Sequence, residues 1–144
     1  EGMVGGQCID LRTGDGDHSL QTLQMMDMGK TVALISAACR MGCTAAGAVQ
    51  EQLQAAEKYA SGIGMAFQIR DDVLDVLGDA GKLGKNTGAD CKQEKVNYVT
   101  LLGPQRAQIL VESYTAEALE ALQNFSGDTA FLKELARTLA GRET

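Results

Sequence analysis

The protein has 144 residues, of which 44% are hydrophobic, so it is long enough for one domain with a modest core. Aromatic residues make up only 4%, Trp is absent and Pro occurs once, a composition that favours helices. The net charge of −6, without a dense cluster of Lys or Arg, argues against nucleic acid as a partner. Because the sequence shows neither an apolar run of roughly 18 residues nor a signal peptide, we expect no transmembrane segment and a cytoplasmic location.

The first predicted element covers residues 2–11, where three glycines alternate with apolar residues. A helix of this composition would allow a neighbouring segment to approach its backbone very closely. Residues 12–17 are rich in Gly and Asp and predict a solvent-exposed turn, after which Ser19 can cap the next helix.

The second predicted helix covers residues 20–42. Its apolar positions recur at helical spacing, and they are Leu23, Met26, Leu34, Ala37, Ala38 and Met41. Lys30 lies in the middle of this run, and the pattern alone favours a surface lysine whose stem lies along the helix. The four cysteines lack the spacing of a zinc site or a dense disulfide framework, and we expect Cys39 and Cys43 to be small core residues.

The third predicted helix covers residues 49–78 and carries three carboxylates within an otherwise apolar run. At ~100° per residue, its polar residues form one narrow stripe, which consists of Gln68, Asp71, Asp72 and Asp75. Carboxylates on one stripe repel one another unless a cation lies among them, and oxygen ligands favour a hard ion such as Mg²⁺. The stripe is therefore either a metal platform or the exposed acidic face of an amphipathic helix.

Residues 79–90 contain three glycines and two lysines and predict a mobile loop. This loop is either a solvated connector or a flap that closes over an anionic ligand. Further helices are predicted from Pro104 through residue 122 and over residues 129–141. Since no useful β-alternation occurs, the expected fold is all-α, an antiparallel helical bundle with short loops.

Four motifs stand in order along the chain: a glycine-rich phrase, a Lys-Thr pair, an aspartate-rich helix segment and a loop with Gly and Lys. They resemble the motifs of the trans-polyprenyl diphosphate synthases, which include the farnesyl and geranylgeranyl diphosphate synthases. The matching residues are Gly2-Met3-Val4-Gly5-Gly6-Gln7 with Asp10-Leu11, Lys30-Thr31, Phe67-Gln68-Ile69-Arg70-Asp71-Asp72-Val73-Leu74-Asp75, and Gly84-Lys85-Asn86-Thr87-Gly88-Ala89-Asp90 with Lys95. The chain looks like the C-terminal half of such an enzyme, one partial domain over residues 1–144.

The resemblance implies the C-terminal part of an isoprenoid synthase fold, in which two aspartate-rich motifs face each other and hold Mg²⁺. It also implies a homodimeric prenyltransferase of isoprenoid biosynthesis that joins isopentenyl diphosphate to an allylic diphosphate. The implied metal ligands are Asp71 and Asp72, with Asp75 acting through water, and the implied catalytic residues are Asp71, Asp72 and Lys30. The residues implied to bind substrate are Lys30, Thr31, Gln68, Lys85, Lys95 and Gln7, and Asp10 belongs to the same phrase as Gln7.

The sequence departs from the family pattern in two respects. Asn97 stands where the family usually has Thr, and the first aspartate-rich motif has no counterpart in these residues. An alternative function is therefore a non-catalytic helical subunit that pairs with a full-length prenyl synthase. A cyclase or head-to-head synthase is a third possibility, but the Lys30-Thr31 pair argues against it. A half-bundle would also expose apolar surface where further helices pack.

Overall fold

A computed structural model describes residues 2–12, 19–82 and 96–143. It is built from helices, and no strand occurs within those ranges, which confirms the all-α prediction. The helices are α1 (Gly2–Arg12), α2 (Leu20–Asp27), α3 (Ala33–Ala45), α4 (Gln50–Lys82), α5 (Tyr98–Leu102), α6 (Pro104–Ala121) and α7 (Ala130–Gly141). A π-helical segment, Met28–Val32, joins α2 to α3, and a 3₁₀ turn, Leu122–Asn124, follows α6.

Helix α4 is the central element, and it packs against the π segment, α3, α5, α6 and α7. Two of its glycines allow close approach on different sides. A Cβ at Gly62 would lie 2.6 Å from the carbonyl oxygen of Tyr114 in α6, and one at Gly64 would lie 2.8 Å from a methyl group of Val32. Helix α4 is 33 residues long, and these two close contacts come before its acidic stripe.

The contacts between α4 and α6 show that the two helices run in opposite directions. Gly62 meets Tyr114 and Ala118 of α6, whereas Arg70, further along α4, meets Gln108. Residue numbers therefore fall along α6 as they rise along α4, so the two helices are antiparallel, as the sequence predicts.

Helix α1 contacts the π segment at Gly6. A Cβ on Gly6 would overlap the backbone nitrogen of Lys30 and would lie 2.6 Å from the carbonyl carbon of Gly29. The close backbone approach predicted for the glycine-rich phrase is confirmed. Its effect is to hold α1 directly against the residue pair Lys30-Thr31.

Local capping explains where several helices begin. Ser19 accepts a hydrogen bond from the backbone N–H of Thr22 at 3.2 Å, which confirms the predicted cap of α2. Asn97 and Thr100 form a capping box at α5, a helix that the sequence reasoning missed. Helix α4 continues to Lys82, so the prediction that the loop begins at residue 79 is wrong, and the rest of that predicted loop lies outside the described residues.

Helix α3 packs less deeply than its pattern predicts, since none of its residues is buried. Leu34 and Met41 are 66% and 67% exposed. Cys39 and Cys43 are half-buried free thiols, so neither is fully inside the core as predicted, although Cys39 packs against the core cluster that includes Tyr59 and Leu122. No helix in the described ranges combines the length and apolarity that crossing a bilayer requires.

Candidate functional site

The three carboxylates of the predicted platform lie within about one turn of α4, where Asp71 and Asp72 are half-buried and Asp75 is exposed. Across the described ranges, no group of three or more His, Cys, Asp or Glu side chains is arranged so that it could hold a metal ion. The face of α4 thus offers oxygen donors on one side of a site rather than an enclosed set of ligands.

Asp72 is held by the first residue of α5. The backbone N–H of Tyr98 donates to Oδ2 of Asp72 at 2.9 Å. Because this N–H belongs to the start of a helix, it has no partner inside the helix, and a carboxylate satisfies it well. The contact joins two segments 26 residues apart and fixes the orientation of the Asp72 side chain.

Asp71 forms an ion pair with the guanidinium of Arg142, just after the end of α7. The same guanidinium lies 4.0 Å from the centre of the Phe67 ring. The carbonyl oxygen of Arg142 accepts two hydrogen bonds from Arg70, at 2.7 and 2.9 Å. A cationic group therefore already occupies the acidic face, and the sequence reasoning assigned no role to either arginine.

The Lys-Thr pair lies in the π segment and faces both α1 and α4. Nζ of Lys30 donates to Oδ2 of Asp10 at 2.7 Å, and the Lys30 side chain is 37% exposed. Oγ1 of Thr31 donates to Oε1 of Gln68 at 2.8 Å, although the two residues are 37 positions apart. Since Gln68 lies one helical turn before Asp72, this bond brings the Lys-Thr pair beside the acidic stripe.

Of the remaining predicted substrate-binding residues, Gln7 is half-buried in α1 next to Gly6, which contacts the backbone of Lys30. Lys85 and Lys95 lie outside the described residues. The structure therefore brings together the part of the predicted site that lies on α1, the π segment and α4.

Asp27 is a buried charged residue beside this site that the sequence reasoning missed. It is 2% exposed at the end of α2, and burial raises its pKa to about 6, against the lowering effects of the Tyr98 hydroxyl and of Lys30. The Tyr98 hydroxyl interacts electrostatically with the Asp27 carboxylate, although the geometry falls short of a well-formed hydrogen bond. A signal was available in the sequence, because Asp27 follows Leu23 by four residues on the apolar face of α2.

The donor set fits a hard divalent cation. Asp71, Asp72 and Asp75 supply carboxylate oxygens only, and Mg²⁺ is typically bound by one or two protein carboxylates together with waters and phosphates. The guanidinium of Arg142 stands beside Asp71, which shows that this face accepts a positive charge. These residues could hold Mg²⁺ on one side while a diphosphate and other groups complete its coordination.

Comparison with known proteins gives consistent matches over nearly the whole chain. The family model described as Polyprenyl synthetase matches residues 1–135. Farnesyl diphosphate synthase of Escherichia coli (strain K12) is 41% identical over 140 residues, which cover 94% of this chain and 46% of the relative. Geranylgeranyl diphosphate synthase of Cyanophora paradoxa is 42% identical over 123 residues, which cover 82% of this chain and 41% of the relative.

A solved structure agrees with these matches. The geranyltransferase from Helicobacter pylori, in complex with magnesium and isoprenyl diphosphate, aligns with a TM-score of 0.70 and 30% identity. The alignment covers 96% of this chain and 45% of that one. The chain thus spans less than half the length of each of these three relatives.

Proposed function

Because this chain belongs to the polyprenyl synthetase family, we propose that the intact protein is a prenyltransferase that condenses isopentenyl diphosphate with an allylic diphosphate. In this proposal the chain is one partial domain that supplies the second aspartate-rich side of the site. The observation that carries the proposal is the 2.8 Å hydrogen bond from Thr31 to Gln68, which sets Lys30 beside the turn of α4 that bears Asp71 and Asp72. Cation and carboxylates on adjacent segments suit a metal-bound diphosphate.

The chemistry requires groups that favour departure of an allylic diphosphate. Negative charge develops on the leaving group, so a lysine that touches this group stabilises the transition state more than the ground state. Lys30, together with Lys85 and Lys95, would bind the diphosphate, while Asp71 and Asp72 would hold Mg²⁺ directly and Asp75 through water. When bound, Mg²⁺ would neutralise the charge on the departing diphosphate.

Polar residues beside Lys30 would position the substrate. Gln68 accepts a hydrogen bond from Thr31, which restrains its side-chain amide, and Gln7 lies next to the glycine contact that holds α1 on the Lys-Thr pair. The solved relative bound to magnesium and isoprenyl diphosphate supports this choice of metal and ligand. We further propose that the intact enzyme is a homodimer of the cytoplasm.

The test is turnover of labelled isopentenyl and allylic diphosphates by the intact protein and its Asp71→Asn variant. Loss of this carboxylate should lower kcat by about a hundredfold or more, because it removes a ligand of the Mg²⁺ that would neutralise the departing diphosphate. Asp128→Asn is the matched control, since Asp128 is exposed at the start of α7 and an Asn side chain can still accept from the N–H of Ala130. Normal turnover by Asp71→Asn would refute the proposal.

A further inference from the structure

The buried carboxylate of Asp27 has no role in the function proposed above. It is one of the largest side chains that are almost completely buried in the described ranges, and it is the charged member of that group. A carboxylate is rarely placed in a core unless a partner or a function requires it, because burial disfavours its charged form. Asp27 therefore calls for an explanation other than packing.

The neighbours of Asp27 are the residues of the candidate site. The Tyr98 hydroxyl, the Lys30 ammonium and the Asp72 carboxylate are all close enough to its carboxylate to change its pKa. Lys30 follows it by three residues, and Asp27 is the residue at which α2 passes into the π segment. The buried charge thus lies near both the Lys-Thr pair and Asp72.

Tyr98 provides the physical connection to Asp72. Its side chain is completely buried, so the position of its ring is set by the groups packed around it, and one of these is the Asp27 carboxylate. Its backbone N–H donates to Asp72 at 2.9 Å. Since α5 has only five residues, the position of Tyr98 controls where that N–H points. A change at Asp27 is therefore transmitted to Asp72 through one residue.

We propose that Asp27 is a positioning residue of the site, which holds Tyr98 and thereby orients the Asp72 carboxylate toward the Mg²⁺–diphosphate complex. The proposal rests on the proposed function for the identity of that complex. It assigns to Asp27 and Tyr98 the role that groups behind metal ligands commonly have, in which they orient a ligand without touching the metal.

The experiment measures Mg²⁺ binding by calorimetry in the presence of inorganic pyrophosphate, using the intact protein and its Asp27→Asn and Tyr98→Phe variants. Asn preserves the shape of Asp27 and removes its charge, while Phe preserves the buried ring and removes the hydroxyl. We expect the Mg²⁺ concentration at half-saturation to rise about tenfold or more in each variant, the range found when groups behind a metal ligand are removed. Unfolding temperature is measured on the same samples.

Tyr59→Phe is the matched control. Tyr59 is also a buried tyrosine of the bundle, but its hydroxyl donates to the carbonyl oxygen of Leu132 at 2.8 Å, on the side of α4 that packs against α7. This variant should bind Mg²⁺ as the unmodified protein does. If Asp27→Asn folds poorly, Tyr98→Phe alone decides the question, because it leaves the core volume nearly unchanged.

Unchanged Mg²⁺ binding in a folded Asp27→Asn or Tyr98→Phe variant would overturn the inference. An equal loss in Tyr59→Phe would also overturn it, because the effect would then reflect general loosening of the bundle. Failure of the proposed function would look different, since the unmodified protein would then show no prenyl transfer, whereas the binding comparison could still be made.

Discussion

Burial makes the charged form of the Asp27 carboxyl group unfavourable, whereas its proposed positioning role uses that charge. A folded pKa of about 6 against an ordinary value of 3.8 means that the fold favours the neutral carboxyl. Folding therefore disfavours the charged form of Asp27 by about 3 kcal/mol, because each unit of difference between the two pKa values corresponds to about 1.4 kcal/mol. Its burial lowers stability at neutral pH, which is the cost expected of a residue that serves a site rather than packing.

The pH dependence of stability follows from the sign of this difference. Because the folded pKa is raised, the contribution of Asp27 to stability is fully present below about pH 4 and is lost as the pH rises through about 6. The free energy of unfolding of Asp27→Asn, measured against the unmodified protein in metal-free buffer, should therefore shift in favour of the variant by about 2 kcal/mol between pH 4 and pH 7. Denaturant titrations at a series of pH values measure this difference, and a difference that stays constant with pH would contradict it.

The individual contacts also show what sequence reasoning can supply about a site. The motif residues Lys30, Thr31, Asp71 and Asp72 were identifiable because their order resembles a family. The hydrogen bond between Thr31 and Gln68 could not be predicted from the sequence, because it depends on how the two helical segments cross. Arg142 was missed for the same reason, since no spacing in the sequence relates it to Asp71.

At the scale of the elements, the long helices were predictable because apolar spacing and caps specify them locally. Helix α5 could not be predicted, since a five-residue helix has no periodicity to detect and depends on the Asn97–Thr100 capping box. The substitution of Asn97 for the usual Thr leaves this cap intact, because either side chain can accept the hydrogen bond. The π segment was also unpredictable, since it reflects tertiary packing around Gly29 and Lys30.

The contact between α1 and the π segment predicts different effects of alanine at two neighbouring glycines, Gly6 and Gly5. Gly6→Ala places a methyl group against the backbone of Gly29 and Lys30, and a backbone cannot rotate out of the way as a side chain can. We expect a loss of about 1–3 kcal/mol or more in unfolding free energy and weaker binding of diphosphate, because the Lys-Thr pair is displaced.

Gly5→Ala is the internal control for this prediction. A Cβ on Gly5 meets nothing within 4 Å, so alanine should be neutral or should stabilise α1 by about 0.5–1 kcal/mol. Thermal unfolding and pyrophosphate binding of both variants test the pair. Equal behaviour of the two substitutions would show that the close approach of α1 has no energetic importance.

At the scale of the whole molecule, α3 presents a continuous apolar stripe. Leu34, Ala37, Ala38 and Met41 lie at positions i, i+3, i+4 and i+7 of one helix face, and all four are exposed. Since the chain spans less than half the length of its relatives, we expect the stripe to be covered by other helices in the intact protein. The chain produced alone should therefore self-associate and show almost no prenyl transfer.

The stripe can be tested separately from exposed apolar residues in general. Leu34→Gln combined with Met41→Gln should reduce self-association of the isolated chain, as measured by sedimentation or light scattering. Ile109→Gln combined with Phe131→Gln is the control, because these residues are 62% and 76% exposed but lie on different helices, α6 and α7. If both pairs had the same effect, the stripe would have no special role. Adding a full-length synthase distinguishes the alternative function, since a non-catalytic subunit would form a defined complex with that partner, whereas half of an enzyme would not.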